Sequence, residues 1–207
     1  MERLLRDLSI NVTEMFRDPG FFAALREQVV PILRTYPYVR VWNAGCSTGE
    51  ETVSLAIVLD EAGLLERTRI YATDMNDRVL ERARTGTFPV ERMGRYLENY
   101  RRSGGTGDLS RHFAIQGEQA VFAPALLDGA LFARHNLAQD GPFNEFHLIV
   151  CRNVLIYFAR PLQARVQTLF TDSLARFGVL ALGRKESVAG DGFAVLDEAE
   201  RIYRRTA

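Results

Sequence analysis

The sequence predicts an α/β fold built on a doubly wound parallel sheet, and three observations carry this prediction. The strand pattern "YVRVWNAG" leads into a glycine loop, and the amphipathic helix pattern "EETVSLAIVLDEAGL" follows it. The strand pattern "RIYATD" and the helix pattern "NDRVLERARTG" then repeat the same order. Further on, "FHLIVCRN" is a nearly continuous apolar run, which is typical of a central parallel strand buried on both faces. Strands that alternate with helices in this way begin a doubly wound sheet.

Capping signals and apolar spacing predict the other elements in order. The segment "RDPGFFAALREQVVPILRTY" predicts one helix with Asp18 as its N-cap and Pro19 at its first position, where the missing N–H costs little. The two helices after the glycine loop should end at Gly63 and Gly86. A third strand at "ALFARHNL" precedes the fourth at "FHLIVCRN", and the helix "RPLQARVQTLFTDSLARFG" should bury Leu174. A fifth strand, "GVLALG", and a closing hairpin of "GFAVLD" with "RIYRRT" complete the domain.

The middle of the chain departs from this alternation. A short helix pattern, "ERMGRYLENY", precedes a turn rich in glycine and arginine. Two short strand patterns, "RHFAIQG" and "EQAVFAP", then flank a Gly-Glu turn. We therefore expect residues 103–124 to form a small antiparallel β insertion on the main domain.

The composition argues against several classes of function. Lys and Arg number 26 and Asp and Glu number 26, so no excess of charge favours a nucleic-acid or membrane-surface role. No apolar run reaches the ~20 residues of a spanning helix, and "MERLLRDLSI" lacks the apolar core of a signal peptide. Cys46, Cys151 and the three histidines show no zinc-like spacing. We expect a cytoplasmic protein with reduced cysteines and without a metal, a nucleic-acid partner or membrane insertion.

The loop "NAGCSTGEE" is the first candidate for a ligand site. Gly45 and Gly49 allow a tight turn and close approach to the backbone, although their spacing is not that of a dinucleotide fingerprint. Glu50 and Glu51 occupy the place where a pyrophosphate would dock, so their charge repels phosphate and attracts an ammonium group. The alternative for Glu50 is a structural interaction with the positive end of the helix dipole.

A second acid, Asp74, ends the strand pattern "YATD" and is placed to accept hydrogen bonds from ribose hydroxyls. A nucleoside with an amino-acid tail suits both Glu51 and Asp74, and S-adenosylmethionine is such a ligand. Dehydrogenase chemistry remains an alternative on these residues alone.

Four segments, in this order, carry a resemblance to the CheR family, the protein-glutamate O-methyltransferases of bacterial chemotaxis: "NVTEMFRDP", "AGCSTGEE", "YATDMN" and "CRNVLIYF". The resemblance implies a Rossmann-like class I S-adenosylmethionine-dependent methyltransferase fold, with a seven-stranded sheet whose final strand is antiparallel. It implies that residues 19–207 form the methyltransferase domain and that residues 103–124 form a β subdomain, which in the family can help to dock receptor tails. Residues 1–18 would be a remnant of a helical domain, or a linker, that forms part of the active site.

The family motifs also imply site residues at the matching positions. The residues expected to contact the cofactor are Asn11, Thr13, Arg17, Gly45, Glu51, Asp74, Asn136, Leu137, Arg152 and Asn153. Among them, Glu51 should hold the methionine ammonium and Asp74 the ribose, while Asn136 and Leu137 should flank the adenosine. Tyr157 should lie beside the transferred methyl group.

The expected reaction requires precise alignment of the reactants and does not require a general base. A glutamate carboxylate is ionised near pH 7, so the absence of histidine from these motifs agrees with methyl ester formation. Arg17 and Tyr157 are the expected catalytic residues: Arg17 could hold a carboxylate with its forked donors, and Tyr157 could orient the nucleophile. Arg152 and Asn153 should close the site. The structural alternative for Arg17 is a surface arginine at the start of a helix. The structural alternative for Tyr157 is an aromatic side chain that packs at the end of a strand.

The chain departs from the family pattern at a few places. Family members usually carry a helical domain before the first motif, whereas only residues 1–10 precede it here. Val53 stands where a tyrosine is common, and "RFGVLALG" has one glycine where a pair is common, with "RKESV" after it. We expect these last departures to alter packing more than chemistry.

The sequence thus predicts an S-adenosylmethionine-dependent methyltransferase that esterifies glutamate side chains of a chemoreceptor-like signalling protein. Two alternatives remain open at this stage. One is a truncated signalling module that binds the cofactor without activity, and the other is a methyltransferase of this fold with another carboxylate or small-molecule acceptor.

Overall fold

The computed structural model describes residues 13–188 and 190–206, so Asn11 lies outside the described residues. The strands within these ranges are β1 (Val39–Ala44), β2 (Thr68–Asp74), β3 (Thr87–Pro89), β4 (Phe113–Gln116), β5 (Gln119–Phe122), β6 (Ala130–Arg134), β7 (Phe146–Cys151), β8 (Leu174–Leu182), β9 (Phe193–Asp197) and β10 (Ile202–Arg205). The α-helices are α1 (Pro19–Ala24), α2 (Val30–Arg34), α3 (Glu50–Glu61), α4 (Asp77–Thr85), α5 (Met93–Arg102) and α6 (Arg160–Ser173). Short 3₁₀ turns are Leu65–Arg67, Val90–Arg92, Leu109–His112, Pro124–Leu126 and Leu155–Tyr157.

Seven strands form one sheet in the order β6-β2-β1-β7-β8-β10-β9. Parallel ladders join β6 to β2, β2 to β1, β1 to β7 and β7 to β8, whereas β10 runs antiparallel to both of its neighbours. The expected parallel sheet with an antiparallel final strand is therefore confirmed. The chain reverses its direction of winding between β1 and β7, and the crevice outside the carboxyl ends of such strands is where open α/β sheets bind ligands.

The central strand β7 shows how the core is divided between the two faces of the sheet. Leu148 and Val150 pack in the cluster that contains the apolar residues of α3, and Ile149 and Cys151 pack in the cluster that contains those of α6. Successive side chains of a strand point to opposite faces, so helices on both faces require an apolar residue at every position. This is the physical reason for the nearly continuous apolar run in "FHLIVC", in which His147 is the one polar residue.

The small antiparallel sheet contains one strand that the sequence pattern did not reveal. β4 and β5 pair as predicted, and β5 pairs on its other side with β3, which lies before α5. Three residues ending in Pro89 give too short a pattern to predict a strand. The assignment of residues 103–124 as a separate subdomain stays a prediction.

The helix predicted over "RPLQARVQTLFTDSLARFG" is wrong at its end. α6 ends one residue before Leu174, which begins β8 and pairs with Phe146 of β7. The apolar spacing misleads because Leu174 lies four residues after Phe170 and is buried in the same cluster whether it extends the helix or starts a strand. An irregular register after Phe146 and a left-handed Phe177 (φ +61°) accompany the change from helix to strand.

The first predicted helix is present but interrupted. Pro19 occupies its first position as predicted, and a π-helical turn at Leu25–Val29 separates α1 from α2. Pro31 cannot donate a hydrogen bond to the turn before it, which explains why a regular α-helix is not continuous there. Asp18 occupies the N-cap position as predicted, but its φ is +55° and its side chain bonds no helix N–H. Its carboxylate pairs with Arg152 instead.

Candidate active site

Four adjacent parallel strands end at one edge of the sheet and carry the expected site residues there. The glycine loop follows β1, Asp74 ends β2, Asn136 follows β6 and Arg152 follows β7. Because carboxyl ends of parallel strands meet at the same edge, segments distant in the sequence become neighbours in space. The fold therefore brings three of the four motifs of the resemblance to one place.

The glycine loop is shaped by its backbone bonds and by the strand next to it. Gly45 and Gly49 have φ of +78° and +94°, which other residues rarely adopt. The N–H groups of Gly45 and Cys46 both donate to the carbonyl of Thr73, at 2.8 and 2.9 Å. A Cβ added to Gly45 would lie 2.5 Å from Cγ2 of Val154, so the absence of a side chain also lets the loop after β7 pack here.

Asp74 is held in place by the loops on either side of it. Its Oδ2 accepts the N–H of Ser47 at 3.0 Å, and its Oδ1 accepts the N–H of Asn76 at 3.0 Å. Burial raises the pKa of Asp74, and these backbone hydrogen bonds offset part of the rise. Each oxygen of a carboxylate has a second lone pair, so Asp74 can still accept a hydrogen bond from a ligand hydroxyl.

Glu51 lies between a buried asparagine and a buried arginine. Its Oε1 accepts Nδ2 of Asn43 at 2.9 Å, and its Oε2 accepts Nη1 of Arg152 at 2.8 Å. Asn43 is itself fixed, since its Oδ1 accepts the hydroxyl of Thr52 at 2.7 Å. Glu51 is thus locked in a single orientation at the start of α3, with lone pairs that remain available to an ammonium group.

Arg152 is the hub that joins the N-terminal segment to the sheet. Its side chain is 1% exposed and pairs with Oδ2 of Asp18 at 2.7 Å as well as with Glu51. Its Nη1 also donates to the carbonyl of Arg17 at 3.3 Å, and its guanidinium lies 4.1 Å from the ring centroid of Phe21. Arg152 thus brings Arg17 into the neighbourhood of Glu51, although the two residues are far apart in the sequence.

The segment that precedes Arg17 packs closely against α3 and α5. Met15 and Phe16 are fully buried, the Phe16 N–H donates to Oγ of Ser54 at 2.9 Å, and Nδ2 of Asn99 donates to the Met15 carbonyl at 3.1 Å. Thr13, which begins the described part of the chain, is half-buried. The "TEMFR" motif is therefore an integral part of this edge of the domain.

The loop after β6 orders Asn136 and Leu137 in different ways. Asn136 forms a local turn, in which its Oδ1 accepts the Ala138 N–H at 3.0 Å and its own N–H donates to Asp140 at 2.7 Å. Leu137 is buried in the cluster that contains Trp42. Contact of these two residues with an adenosine stays a prediction.

The loop after β7 exposes Tyr157. Tyr157 is 52% exposed and ends the 3₁₀ turn Leu155–Tyr157, so the alternative of a packed aromatic residue does not apply. Asn153 has φ +60°, and its N–H donates to the buried carboxylate of Glu186 at 3.1 Å. This edge of the sheet thus presents an exposed phenol next to a tightly held turn.

The two cysteines lie in environments that disfavour their thiolate forms. Burial raises the pKa of the Cys46 and Cys151 thiols well above the ordinary value, so neither is a reactive thiolate near neutral pH. Within residues 13–188 and 190–206, no group of three or more His, Cys, Asp or Glu is arranged to hold a metal ion. None of the described helices is long and apolar enough to cross a membrane.

Glu50 lies in the first turn of α3, where the helix dipole favours an acid, and its side chain is buried. Its side chain is 2% exposed, accepts the hydroxyl of Thr48 at 2.6 Å and lies 3.6 Å from Nη1 of Arg92. Burial raises the pKa of Glu50, with the Thr48 hydrogen bond and the charge of Arg92 acting in the opposite direction. The negative charge of Glu50 therefore lowers the free energy of unfolding at neutral pH.

We expect Glu50→Gln to increase the free energy of unfolding at pH 7, because the amide keeps the Thr48 hydrogen bond without a buried charge. The folded-state pKa is raised, so the wild type regains stability as the pH falls through that value. The advantage of the variant should vanish below the unfolded-chain pKa of about 4.3. Urea unfolding between pH 7 and pH 4 measures this, with the exposed Glu118→Gln as a control that changes little. A variant less stable than wild type at pH 7 would contradict the expectation.

The comparisons with known proteins agree with one another. The family model described as the CheR methyltransferase, SAM-binding domain, matches residues 11–200. The chain belongs to the CheR methyltransferase family. The Pseudomonas putida protein Cher3 is 49% identical over 208 residues, which cover 99% of this chain and 76% of that protein.

Two further relatives of this CheR chain are named chemotaxis protein methyltransferases. The one from Listeria innocua is 35% identical over 95% of this chain and 74% of its own length. Chemotaxis protein methyltransferase 1 of Pseudomonas aeruginosa is 30% identical over 90% of this chain and 70% of its own length. Membership in the CheR family confirms the class I fold and an S-adenosylmethionine-dependent methyltransferase family.

Sequence reasoning missed three residues that shape the site of this CheR chain. Asp18 was assigned to a helix cap, and Asn43 and Glu186 were not singled out. Asn43 carries a signal that could have found it, because it is a polar residue inside the buried strand "VRVWNA". Glu186 follows the buried strand β8 as Asp74 ends β2, so an acid at the same sheet edge was the available signal.

Proposed function

We propose that this chain transfers the methyl group of S-adenosylmethionine to glutamate side chains of a chemoreceptor-like signalling protein and so forms methyl esters. The observation that supports the proposal is the arrangement at one sheet edge of two held acids, Glu51 and Asp74, beside the motifs that contain Arg17 and Tyr157. Chemotaxis methyltransferases are the named relatives of the chain. The small sheet that contains β4 and β5 is proposed to help dock the protein substrate, and the proposed location is the cytoplasm.

The acids suit this cofactor better than a dinucleotide. Asp74 accepts ribose hydroxyls with its free lone pairs, and Glu51 accepts the ammonium of the methionine moiety. Gly45 and Gly49, both with positive φ, form the tight turn beside these acids, and Leu137 offers an apolar side chain to the adenine. When bound, S-adenosylmethionine supplies an electrophilic methyl group on its sulfonium.

The remaining residues position the acceptor. An ionised glutamate needs no base, so the rate depends on how well its oxygen is aligned with the S–CH₃ bond at about 3 Å. Tyr157 is exposed enough to donate its hydroxyl to that carboxylate. We propose that Arg17, whose carbonyl is tied to Arg152, holds a carboxylate of substrate or cofactor with its guanidinium.

The test is methyl transfer from labelled S-adenosylmethionine to cytoplasmic fragments of chemoreceptors. We expect label that is released by mild base, as a methyl ester requires. Tyr157→Phe should lower kcat by about 10- to 100-fold through misalignment. Tyr38→Phe is the matched control, because Tyr38 is 49% exposed but precedes β1 at the opposite edge of the sheet.

Other outcomes of this test would contradict the proposal. Cofactor binding without transfer to any receptor fragment, even with a helical N-terminal domain supplied, would favour a binding module without activity. Base-stable label, or transfer only to small carboxylates, would point to another acceptor.

A further inference from the structure

Glu186 is a buried acid that the proposed reaction does not use. It is 6% exposed, and its carboxylate accepts five backbone N–H groups. Oε2 accepts those of Asn153 at 3.1 Å and Gly183 at 2.5 Å. Oε1 accepts those of Val154, Leu155 and Ile156, at 2.9, 2.8 and 3.3 Å.

These N–H groups have no partner in a sheet or helix. Four of them are consecutive, from residue 153 to residue 156 in the turn between β7 and α6, and the fifth, that of Gly183, follows β8. A buried N–H without an acceptor is costly, so such a turn needs an acceptor from elsewhere in the chain. Among the described residues Glu186 forms no ion pair within 4.0 Å, and its charge is met by the peptide N–H groups alone.

The same turn contacts the candidate site on two sides. Asn153 is held at φ +60°, and Val154 fills the space above Gly45, where a Cβ would approach Cγ2 of Val154 to 2.5 Å. Tyr157 ends the turn and donates its N–H to the carbonyl of Val154 at 3.2 Å. A shift of the turn would therefore move the phenol of Tyr157 and the wall of the glycine loop together.

Gly183 is shaped to let Glu186 reach the turn. A Cβ at Gly183 would lie 2.7 Å from Oε2 of Glu186 and 2.8 Å from the backbone nitrogen of Asn153. Two positions on the loop after β8 thus serve the same contact, one by supplying the carboxylate and the other by leaving room for it.

We infer that Glu186 is a positioning residue, which sets the turn of residues 153–157 so that Asn153 and Tyr157 face the reactants. The inference rests on the proposed function for the roles of those two residues. Glu186 touches neither substrate nor cofactor in this assignment and acts through the backbone of the turn.

Glu186→Gln tests the inference with almost no change in shape. The five N–H groups divide three to two between the oxygens, so either orientation of the amide leaves at least two of them facing an NH₂ group. We expect kcat to fall by about 10- to 100-fold, because the phenol is displaced. The Kd for S-adenosylmethionine should rise by a smaller factor than kcat falls, because the turn also borders the glycine loop whereas Asp74 and Glu51 are held by other contacts. Amide hydrogen exchange at residues 153–156 should accelerate at least about tenfold.

A matched control separates positioning from a general loss of stability. Glu200 is 8% exposed and its carboxylate accepts both Nε and Nη2 of Arg184, at 3.0 and 2.5 Å, rather than the turn. Glu200→Gln should lower the stability of the protein and leave kcat and the exchange at residues 153–156 unchanged. Gly183→Ala should reproduce the effects of Glu186→Gln, since the new methyl group displaces Oε2.

The inference is overturned if Glu186→Gln keeps kcat within twofold and the exchange of these amides stays slow. If Glu186→Gln fails to fold, the inference is tested with Gly183→Ala and with the wild type. Rapid amide exchange at residues 153–156 of the wild type would then overturn the inference. The exchange measurement needs no methyl acceptor. A failure of receptor methylation by the wild type would therefore contradict the proposed function without affecting this test.

Discussion

Asp74→Asn is expected to weaken binding of S-adenosylmethionine by about 100- to 1,000-fold, as titration calorimetry would show. Hydrogen bonds to a charged acceptor contribute about 1.5–3 kcal/mol each, and the ribose offers two hydroxyls. Asparagine has one oxygen where Asp74 has two, and its NH₂ would face the N–H of either Ser47 or Asn76. The variant thus loses an acceptor and disturbs the loop that holds it.

The matched control is Asp77→Asn, three residues along the chain. Asp77 is an exposed acid in the first turn of α4, 4.0 Å from Arg134, so its loss should leave the affinity unchanged. Burial raises the pKa of Asp74 above the ordinary aspartate pKa of about 3.9. As the pH decreases, the carboxylate is therefore protonated, and the affinity of the wild type begins to fall, while the pH is still above about 3.9. Affinity of Asp74→Asn within threefold of wild type would overturn the assignment of the ribose site.

Arg152→Met is expected to lower the free energy of unfolding by about 3–5 kcal/mol, which corresponds to a Tm lower by about 10 °C. The substitution keeps an unbranched side chain but leaves Asp18 and Glu51, whose side chains are 28% and 15% exposed, without their common partner. The carbonyl of Arg17 and the ring of Phe21 also lose a contact. Urea unfolding and calorimetry measure the effect.

The cost should arise mainly from the stranded carboxylates. Adding Asp18→Asn and Glu51→Gln to Arg152→Met should therefore restore part of the lost stability, because the partly buried charges are then removed together. Arg152→Lys should fall between wild type and Arg152→Met, since an ammonium keeps the charge but cannot donate in a fork to two carboxylates. A loss below 1 kcal/mol for Arg152→Met would show that the hub is not a source of stability.

The comparison of Asp18 with Pro19 shows where sequence reasoning ends. Both residues belong to a local helix-start signal, and the position of Pro19 depends only on its ring and its missing N–H. The side chain of Asp18 could accept a hydrogen bond from a helix N–H or from a guanidinium. It accepts one from Arg152, which is 134 positions away in the sequence. A hydrogen bond from the charged guanidinium is stronger than one from a neutral backbone N–H, and no local sequence pattern reveals such a distant partner.

The same reason explains the end of α6 and the omission of β3. Leu174 satisfies a helical spacing and a strand ladder equally well, and pairing with Phe146 decided between them. β3 exists because β5 offers it a partner 30 or more residues away, not because three residues prefer an extended conformation. Such a strand is a short local segment, but the ladder that stabilises it is a tertiary interaction with a distant segment.

The sequence by itself determined the order of strands and helices, the glycine loop with its acids and the family of the chain. Each of these depends on apolar periodicity, on the special backbone freedom of glycine or on short contiguous motifs, which are local properties. The tertiary structure decided which groups satisfy the buried charges and N–H groups at the sheet edge. Arg152 with Asp18 and Glu51, and Glu186 with the turn after β7, are partnerships across distant segments. They form because parallel strands end together, and a carboxylate buried at that edge bonds the nearest donor irrespective of its place in the chain.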